Sequence, residues 1–402
     1  MNMNDTPQAN RIHIGFFGRR NAGKSSVVNA VTNQELSVVS EVMGTTTDPV
    51  NKSMELLPIG PVLIIDTPGF DDEGELGELR VKRTKQVLNK TDIAVLVVDA
   101  TVGLTPPDYE IINIFKEKNI DYLLVYNKCD LLDVRDIRRL STEENAVLVS
   151  AKDKKNIDQL KEKIAFIMDS SRRTETPLVS DLVTDKNPVM LVVPIDKAAP
   201  KGRLILPQQQ VIRELLDNDI PSIVVKENQV SEMLVKIGIR PSLVITDSQV
   251  FKKVSMQVPD DILLTSFSIL MARYKGFLEE AVRGAFALDD LKDGDKILIS
   301  EGCTHHRQCG DIGTVKLPNW INEFTGAELV YEFTSGTSFP DELSDYAVII
   351  HCGGCMLNER EMKYRMKCAV DQDVPFTNYG TVIAYTNGIL HRTLEIFKGK
   401  YT

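Results

Sequence analysis

The first chemical signal in the chain is a glycine-rich segment near its N-terminus. It reads GRRNAGKS from Gly18 to Ser25 and fits the phosphate-loop spacing G-x-x-x-x-G-K-[ST] directly after an apolar run. Gly18 and Gly23 would let backbone N–H groups point at phosphates, and Lys24 would neutralise the β- and γ-phosphates. The Ser25 hydroxyl would bind Mg²⁺. We predict a nucleoside triphosphate site here, with Ser26 as a further contact.

Two later motifs predict which base the site selects. Residues 127–130 read Asn-Lys-Cys-Asp after an apolar run and match the N-K-x-D element of GTPases, and residues 150–152 read Ser-Ala-Lys. The Asp130 carboxylate can accept hydrogen bonds from guanine N1–H and from the 2-amino group, whereas adenine offers no such pair of donors. A backbone N–H of the Ser-Ala-Lys segment would meet guanine O6. The residues predicted to bind GTP or GDP in this way are Asn127, Lys128, Asp130, Ser150, Ala151 and Lys152.

A third motif, DTPG at residues 66–69, predicts the hydrolytic part of the site. Asp66 can hold a Mg²⁺-bound water, and the Gly69 amide can sense a γ-phosphate. The next residue is Phe70, where Ras-like GTPases place a glutamine that orients the attacking water. We therefore expect slow intrinsic GTP hydrolysis, with Lys24, Asp66 and Gly69 in catalytic roles.

A second group of reactive side chains lies near the other end of the chain. Five of the six cysteines follow residue 302, and three of the five histidines sit beside them. They form Cys303-x-His305 and, after 45 intervening residues, His351-Cys352-x-x-Cys355. In a reducing cytosol such thiols are more often metal ligands than disulfides, and soft thiolates favour zinc or an iron–sulfur cluster. An iron–sulfur cluster, a tetrahedral Cys₃His zinc site and plain buried cysteines all remain open from the residues alone.

Alternating apolar and amphipathic segments would position these residues. In the N-terminal segment, β-branched runs alternate with amphipathic stretches, which is typical of a mostly parallel sheet covered by helices. Strands are predicted there at 12–17, 62–66, 93–99, 122–127 and 146–150, and helices after Lys24, around 82–88, over 109–116 and over 157–168. A second alternation begins at Val189, and a third segment begins near Leu264 with a helix. Both cysteine motifs follow strand-like runs, KILIS and YAVII, and the strand ends of parallel sheets are where ligands bind.

This pattern predicts an α/β fold with three domains. They are an N-terminal P-loop GTPase domain with a mostly parallel sheet, a small βαβ middle domain and a C-terminal α/β metal-cluster domain. The predicted bounds are 1–168 for the GTP-binding domain, 169–188 for a linker, 189–263 for a dimerisation domain and 264–402 for the metal-binding domain. The middle segment has too few residues to cover both faces of its sheet, so we expect it to self-associate.

Composition limits the remaining function classes. The chain has 402 residues, of which 43% are hydrophobic, and a formal net charge of −10. That charge argues against a broad nucleic-acid-binding face, which needs clustered Lys and Arg. We find no apolar run of the roughly 20 residues that a membrane span needs and no secretory signal pattern, so we expect a cytoplasmic protein with no membrane partner.

The N-terminal motifs resemble those of the bacterial TrmE–Era GTPase class. Residues 44–48, Gly-Thr-Thr-Thr-Asp, are similar to its first switch. The resemblance implies that Thr46 binds Mg²⁺ and senses the γ-phosphate, with Thr45 and Thr47 as alternative registers. It also implies that Asn21 coordinates a monovalent cation, so that potassium stimulates hydrolysis. A role for Asn21 as a simple turn residue stays open.

The order of segments resembles one family over essentially the whole chain. An N-terminal TrmE–Era-like GTPase, a thin α/β middle segment and a C-terminal C-x-H … H-C-x-x-C pattern are similar to HydF, the scaffold GTPase of [FeFe]-hydrogenase maturation. The resemblance implies a [4Fe–4S] cluster held by Cys303, Cys352 and Cys355, with an open or weakly ligated fourth iron site. His305 and His351 match motif positions and are candidate further ligands.

The same resemblance implies partners and cargo. HydF proteins receive a di-iron precursor from the radical-SAM maturases HydE and HydG and deliver it to apo-[FeFe]-hydrogenase. They are dimers through the middle domain, in agreement with the self-association expected above. A TrmE- or Era-like GTPase in tRNA modification or ribosome assembly, carrying a structural zinc site, is the alternative function. It predicts a basic RNA-binding appendage, whereas this chain is acidic overall.

Overall fold

The structure is a computed structural model that describes residues 10–33, 50–67, 87–143, 145–172, 176–185, 187–195, 204–302, 312–336 and 338–401. The chain forms two compact units, Met1–Glu175 and Thr176–Thr402. None of the helices in these described ranges is long and apolar enough to cross a membrane.

The N-terminal unit contains a six-stranded sheet with helices packed against it. Its strands are β1 (Ile12–Gly18), β2 (Val50–Leu56), β3 (Gly60–Asp66), β4 (Ile93–Asp99), β5 (Asp121–Asn127) and β6 (Ala146–Leu148). Its helices are α1 (Lys24–Thr32), α2 (Pro106–Glu117), α3 (Val134–Leu140) and α4 (Ile157–Arg172). The strand order is β2-β3-β1-β4-β5-β6, and every pairing is parallel except that of β2 with β3.

The sequence of β4 shows why this sheet is buried on both faces. Successive side chains of a strand point to opposite faces, so an apolar run without polar positions suits a sheet covered on both sides. Ile93, Val95 and Val97 belong to one buried cluster, and Ala94 and Leu96 belong to the cluster on the other face. Burying a large aliphatic side chain contributes about 1.5–3 kcal/mol. The central strands therefore form a rigid base for the loops at their carboxyl ends.

All five strands predicted in this unit are confirmed, and one strand was missed. The missed strand, β2, reads VNKSMEL and lies antiparallel at the edge of the sheet. Its polar residues mix with apolar ones because an edge strand needs less burial, and this weakens its sequence signal. The last predicted strand ends at Leu148 rather than residue 150, and Ser150 forms an isolated bridge with Lys155. The helix predicted around 82–88 lies mostly outside the described residues.

The second unit begins with a four-stranded parallel sheet. Its strands are β7 (Val189–Val192), β8 (Ser222–Val225), β9 (Leu243–Thr246) and β10 (Leu263–Ser266), in the order β10-β9-β7-β8. The helices between them are α5 (Leu206–Asp217), α6 (Val230–Lys236) and α7 (Phe251–Ser255). The alternation of strands and helices predicted from Val189 is confirmed, and strand β10 was not predicted.

A second four-stranded parallel sheet follows in the same unit. Its strands are β11 (Lys296–Glu301), β12 (Val330–Ser335), β13 (Val348–His351) and β14 (Phe376–Asn378), in the order β12-β11-β13-β14. The helices are α8 (Phe267–Tyr274), α9 (Leu278–Phe286), α10 (Leu317–Thr325), α11 (Glu359–Val370), α12 (Tyr379–Thr386) and α13 (Leu390–Leu394).

The two sheets of this unit share one hydrophobic core. Helix α13, near the C-terminus, packs on β10 of the first sheet, and Leu264, Phe267 and Leu390 are buried in the same cluster. The helix expected from Leu264 is in fact strand β10 followed by two helices that break at Gly276, where φ is +72°. C-terminal residues therefore cover part of the middle-segment sheet, which was predicted to have too few residues of its own to cover both faces. The predicted domain bounds remain a prediction. Strand β10 spans the boundary that was predicted between residues 263 and 264.

Candidate functional site

The phosphate-loop residues occupy the turn between β1 and helix α1. Gly23 has φ +82°, and a Cβ built on it would lie 2.2 Å from Asn127 Nδ2. A side chain is therefore excluded at this position by both backbone conformation and space. Asn21 also has a positive φ, +62°, and is exposed. The turn brings Lys24 and Ser25 to the carboxyl edge of the sheet.

Asp66, at the end of β3, is the point on which the phosphate-loop side chains converge. The Lys24 ammonium forms an ion pair with it, and Ser25 Oγ donates a hydrogen bond to its Oδ2 at 3.1 Å. A lysine, a hydroxyl and a carboxylate in contact are the groups that bind phosphate and hydrated Mg²⁺. The motifs GRRNAGKS and DTPG, 41 residues apart at Ser25 and Asp66, are thus brought together.

Asn127 connects three of the predicted nucleotide motifs. Its Nδ2 donates to the backbone carbonyl of Ala22 in the phosphate loop at 3.0 Å. Its Oδ1 accepts from the backbone N–H of Ala151 at 3.1 Å. Because Asn127 is 3% exposed, these bonds are shielded from water. The side chain therefore fixes the base-binding segments relative to the phosphate loop.

An open cavity of about 690 Å³ lies beside this asparagine. The residues that line it are Gly23, Ser26, Asn29, Ala30, Asn33, Asn127, Lys128, Asp130, Leu131, Ala151, Lys152 and Lys154. Asp130 is exposed, and a hydrogen bond from the Ser150 side chain lowers its pKa, so the carboxylate is ionised at neutral pH. Lys128 is held by an ion pair with Asp99 at 2.6 Å. A charged acceptor facing an open cavity is suited to bind paired N–H donors.

The residues predicted to sense the γ-phosphate are not among those that the structure describes. Thr46 and Gly69, together with Phe70, lie outside the described residues.

Sequence reasoning missed one contact of the phosphate loop, an ion pair at 3.3 Å between Arg19 and Asp108 of α2. Asp108 is 1% exposed and also accepts hydrogen bonds from Thr105 at the start of that helix. Nothing in the sequence spacing links Asp108 to residue 19.

The two cysteine motifs follow adjacent strands of the C-terminal sheet, as predicted. Strands β11 and β13 are parallel neighbours, and Ser300 is paired with His351. The Gly302 N–H donates to Cys352 Sγ at 3.1 Å, and the Gly354 N–H donates to the same sulfur at 3.4 Å. Residues 303 and 305, which complete the predicted donor set, lie outside the described residues.

Both described cysteines of the C-x-x-C turn carry raised pKa values. Burial raises the pKa of Cys352 to about 11, against the opposing effect of the Gly302 hydrogen bond. Burial also raises the pKa of Cys355, while the Lys275 charge opposes that shift. A metal ion would therefore displace a proton from each thiol on binding. Within the described ranges no group of three His, Cys, Asp or Glu residues could by itself hold a metal ion.

His351 is buried beneath this turn, and both of its ring nitrogens are hydrogen-bonded. Nε2 lies 3.1 Å from Arg365 Nη1, which can only donate, so Nδ1 carries the proton and donates to the Cys352 carbonyl at 2.8 Å. Burial lowers the pKa of the imidazole to about 3, which keeps it neutral. In this arrangement neither nitrogen is available to a metal ion.

Two basic residues that sequence reasoning missed lie at the same edge of the sheet. Arg365, on α11, is fully buried and pairs with Glu361 at 2.9 Å. Lys275 is 3% exposed, and burial lowers its pKa to about 8. No motif marks either residue, and charged side chains are rarely buried, so only the packing reveals them.

Comparisons with known proteins agree with the two-part organisation. A family model described as the hydrogen maturase F dimerization domain matches residues 178–276, and one described as the hydrogen maturase F tetramerization domain matches residues 279–396. These two models together match more than half of the chain. A model described as 50S ribosome-binding GTPase matches residues 13–128.

Individual relatives match a smaller part. GTPase Der of Wolinella succinogenes is 35% identical over 188 residues, 43% of this chain and 40% of that protein. The tRNA modification GTPase MnmE of Desulforamulus reducens is 31% identical over 166 residues, 40% of this chain and 35% of that protein. The chain thus spans less than half the length of these curated relatives. The solved structure of Era from Aquifex aeolicus covers 81% of this chain and 92% of its own at 17% identity, with a TM-score of only 0.34.

Proposed function

This chain belongs to the hydrogen maturase F family, and from that membership we propose that it is a GTPase and iron–sulfur scaffold of [FeFe]-hydrogenase maturation. In this proposal it receives a di-iron precursor as cargo and delivers it to apo-[FeFe]-hydrogenase. The N-terminal unit contains the GTPase domain. The observation that carries the scaffold role is the hydrogen-bonded Cys352 sulfur at the shared edge of β11 and β13.

The nucleotide part of the proposal rests on the converged motifs. Asp130 would accept from guanine, and Lys24 and Ser25, which contact Asp66 here, would turn to the phosphates and Mg²⁺. Thr46 and Gly69 stay predicted γ-phosphate sensors. Asn21 stays a predicted potassium ligand, and its exposed position in the phosphate loop leaves its side chain accessible to a cation. Comparing hydrolysis in potassium and sodium salts tests that role.

The residues at the C-terminal site fit an iron–sulfur cluster. Two backbone N–H groups point at Cys352 Sγ, and such hydrogen bonds stabilise a thiolate that ligates iron. Cys303, Cys352 and Cys355 would hold the [4Fe–4S] cluster. When bound, the cluster would offer one iron site without a cysteine, to which cargo can attach.

The hydrogen bonds of His351 bear on the competing zinc site. A closed zinc site would take Cys303, His305, Cys352 and Cys355, and His351 could replace His305 only by breaking its bond with Arg365. The buried ring instead supports the Cys352 carbonyl, so a structural role fits His351 better than ligation. Three soft thiolates without a fixed fourth ligand suit a carrier, because a vacant position lets cargo bind and leave.

Anaerobic reconstitution with iron and sulfide tests the cluster. We expect about four iron and four sulfide per chain and a brown protein, and loss of most iron in Cys352→Ser. Cys368→Ser is the matched control, since Cys368 lies on α11 outside the predicted ligand set. A colourless protein that binds one zinc per chain instead would contradict the proposal.

The proposed role of GTP is to adjust partner affinity rather than to drive cluster chemistry. HydE, HydG and apo-hydrogenase are the proposed partners, and segments 43–50 and 70–80 would order around the γ-phosphate. We expect GTP to release HydE and HydG from the wild type in pull-downs, but not from Lys24→Ala. Release that stays GTP-dependent in this variant would contradict the proposal.

Oligomer formation and location complete the proposal. The matching family models are named for dimerization and tetramerization, which supports assembly into a homodimer or higher oligomer. A cytoplasmic location is proposed from the sequence. The tRNA-modification alternative is less well supported, because MnmE matches only 40% of this chain whereas the hydrogen maturase F models match the other unit.

A further inference from the structure

Lys275 directs a buried ammonium group at the C-x-x-C turn. It follows helix α8, and only 3% of its surface is exposed. Its Nζ donates to the carbonyl of Gly354 and, at 2.5 Å, to the carbonyl of Leu357. Gly354 lies between Cys352 and Cys355 in sequence, so one side chain ties the whole turn to helix α8.

Lys275 has no carboxylate paired directly with it in the described part of the chain. Across the described ranges its hydrogen bonds go to carbonyl oxygens, and it forms no ion pair. Burial is the main cause of the lowered pKa of Lys275, and the charges of Cys355, Cys352 and Glu359 oppose that shift. A buried cation is costly unless an anion lies nearby. Two ligating thiolates would supply that anion.

Arg365 offers a contrast at the same edge of the sheet. It is fully buried as well, but its guanidinium pairs with Glu361 at 2.9 Å and donates to the carbonyl of Gly336 at 2.8 Å. Its charge is therefore already balanced within the protein. Lys275 differs because none of the described carboxylates forms an ion pair with it, so its positive charge can interact with a ligand bound at the turn.

We propose that Lys275 is a positioning residue for the iron–sulfur cluster, holding the C-x-x-C turn and offsetting the negative charge of the bound thiolates. This inference rests on the proposed function, since it requires that a cluster binds. A [4Fe–4S] cluster with three thiolates is anionic and becomes more so on reduction. A buried cation therefore favours the reduced state and helps to retain the cluster, because cluster potentials depend on nearby charge.

The experiment compares reconstituted full-length variants. Lys275→Met removes the charge and keeps most of the length of the side chain, and Lys275→Gln keeps a donor for the turn carbonyls without the charge. Lys367→Met is the matched control, because Lys367 is an exposed lysine on α11. Iron and sulfide content, the reduction midpoint followed by electron paramagnetic resonance, and thermal unfolding of each apoprotein are measured.

We expect Lys275→Met and Lys275→Gln to disfavour reduction at least tenfold, a downward shift of at least 59 mV for a one-electron couple. Lys367→Met should match the wild type. If Lys275→Met does not fold, Lys275→Gln is compared with the wild type instead. A folded variant of either kind with wild-type iron content and midpoint overturns the inference. Failure of the proposed function is a separate result, because the wild type itself would then take up no cluster.

Discussion

At the residue scale, single polar atoms determine what each site can select. Asp130 faces the open cavity with an ionised carboxylate, while Asn127 is buried and holds the surrounding segments in place. The two residues belong to one motif but have different tasks. One is proposed to recognise the base, and the other connects Ala22 to Ala151.

Exchanging the recognition atom should change the nucleotide that binds. In Asp130→Asn the side chain can no longer accept from both guanine N1–H and the 2-amino group, so we expect GTP affinity to fall on the order of 100-fold. Xanthosine triphosphate presents a carbonyl in place of that amino group, and the asparagine amide can donate to it. Fluorescence titrations with both nucleotides measure the exchange, and a variant that still prefers GTP would contradict the role of Asp130.

At the element scale, both candidate sites lie where parallel strands end. The phosphate loop follows β1 and Asp66 ends β3, and the two strands are neighbours. The cysteine motifs follow β11 and β13, which are also neighbours. Parallel strands bring distant segments of sequence to one edge, and the helices that follow leave room for ligands there. The turn after each strand therefore determines what can bind.

Two adjacent glycines of the C-x-x-C turn allow the role of turn geometry to be tested with a matched control. Gly354 has φ +61°, and a Cβ there would lie 2.5 Å from Met362 Sδ, whereas a Cβ on Gly353 would have no neighbour within 4 Å. We expect Gly354→Ala to destabilise the second unit by about 1–2 kcal/mol, because an L side chain disfavours this conformation. It should also reduce iron retention, and Gly353→Ala should do neither. Urea unfolding and iron analysis measure both effects, and equal behaviour of the two variants would contradict the expectation.

At the scale of the whole molecule, the chain has two compact units with separate cores. One unit holds the predicted nucleotide site, and the other holds the predicted cluster site and the hydrogen maturase F matches. Within the second unit, one buried cluster contains residues from Leu178 to Phe397 and joins both sheets. The middle and C-terminal segments therefore depend on each other for stability, although their sheets are distinct.

Separate cores should give separate responses to ligands. A ligand that binds only one folded unit stabilises it by about 2.7 kcal/mol at 100 times its dissociation constant. We expect GDP with Mg²⁺ to raise one thermal transition of the full chain in calorimetry and to leave the other within error. Cluster loading should do the reverse. A single transition shifted equally by both ligands would contradict independent units.

Local sequence signals predicted the nucleotide site and most strands. A phosphate loop is specified by a few consecutive residues whose backbone shape is the binding site, so the motif predicts its own geometry. Central strands such as β4 are equally easy to predict from the sequence, because burial on both faces requires an unbroken apolar run. Edge strand β2 and short strand β10 were missed, since their burial depends on partners far along the chain.

The sequence by itself predicted the type of chemistry: a phosphate loop followed by a guanine-selective motif at one end, and a cysteine-rich candidate metal motif at the other. The tertiary structure alone decided what surrounds that motif. Lys275, Arg365 and His351 come from separate elements and meet beneath one turn only after the sheet forms. Spacing cannot predict such a set, because the contacts that assemble it join residues far apart in the chain.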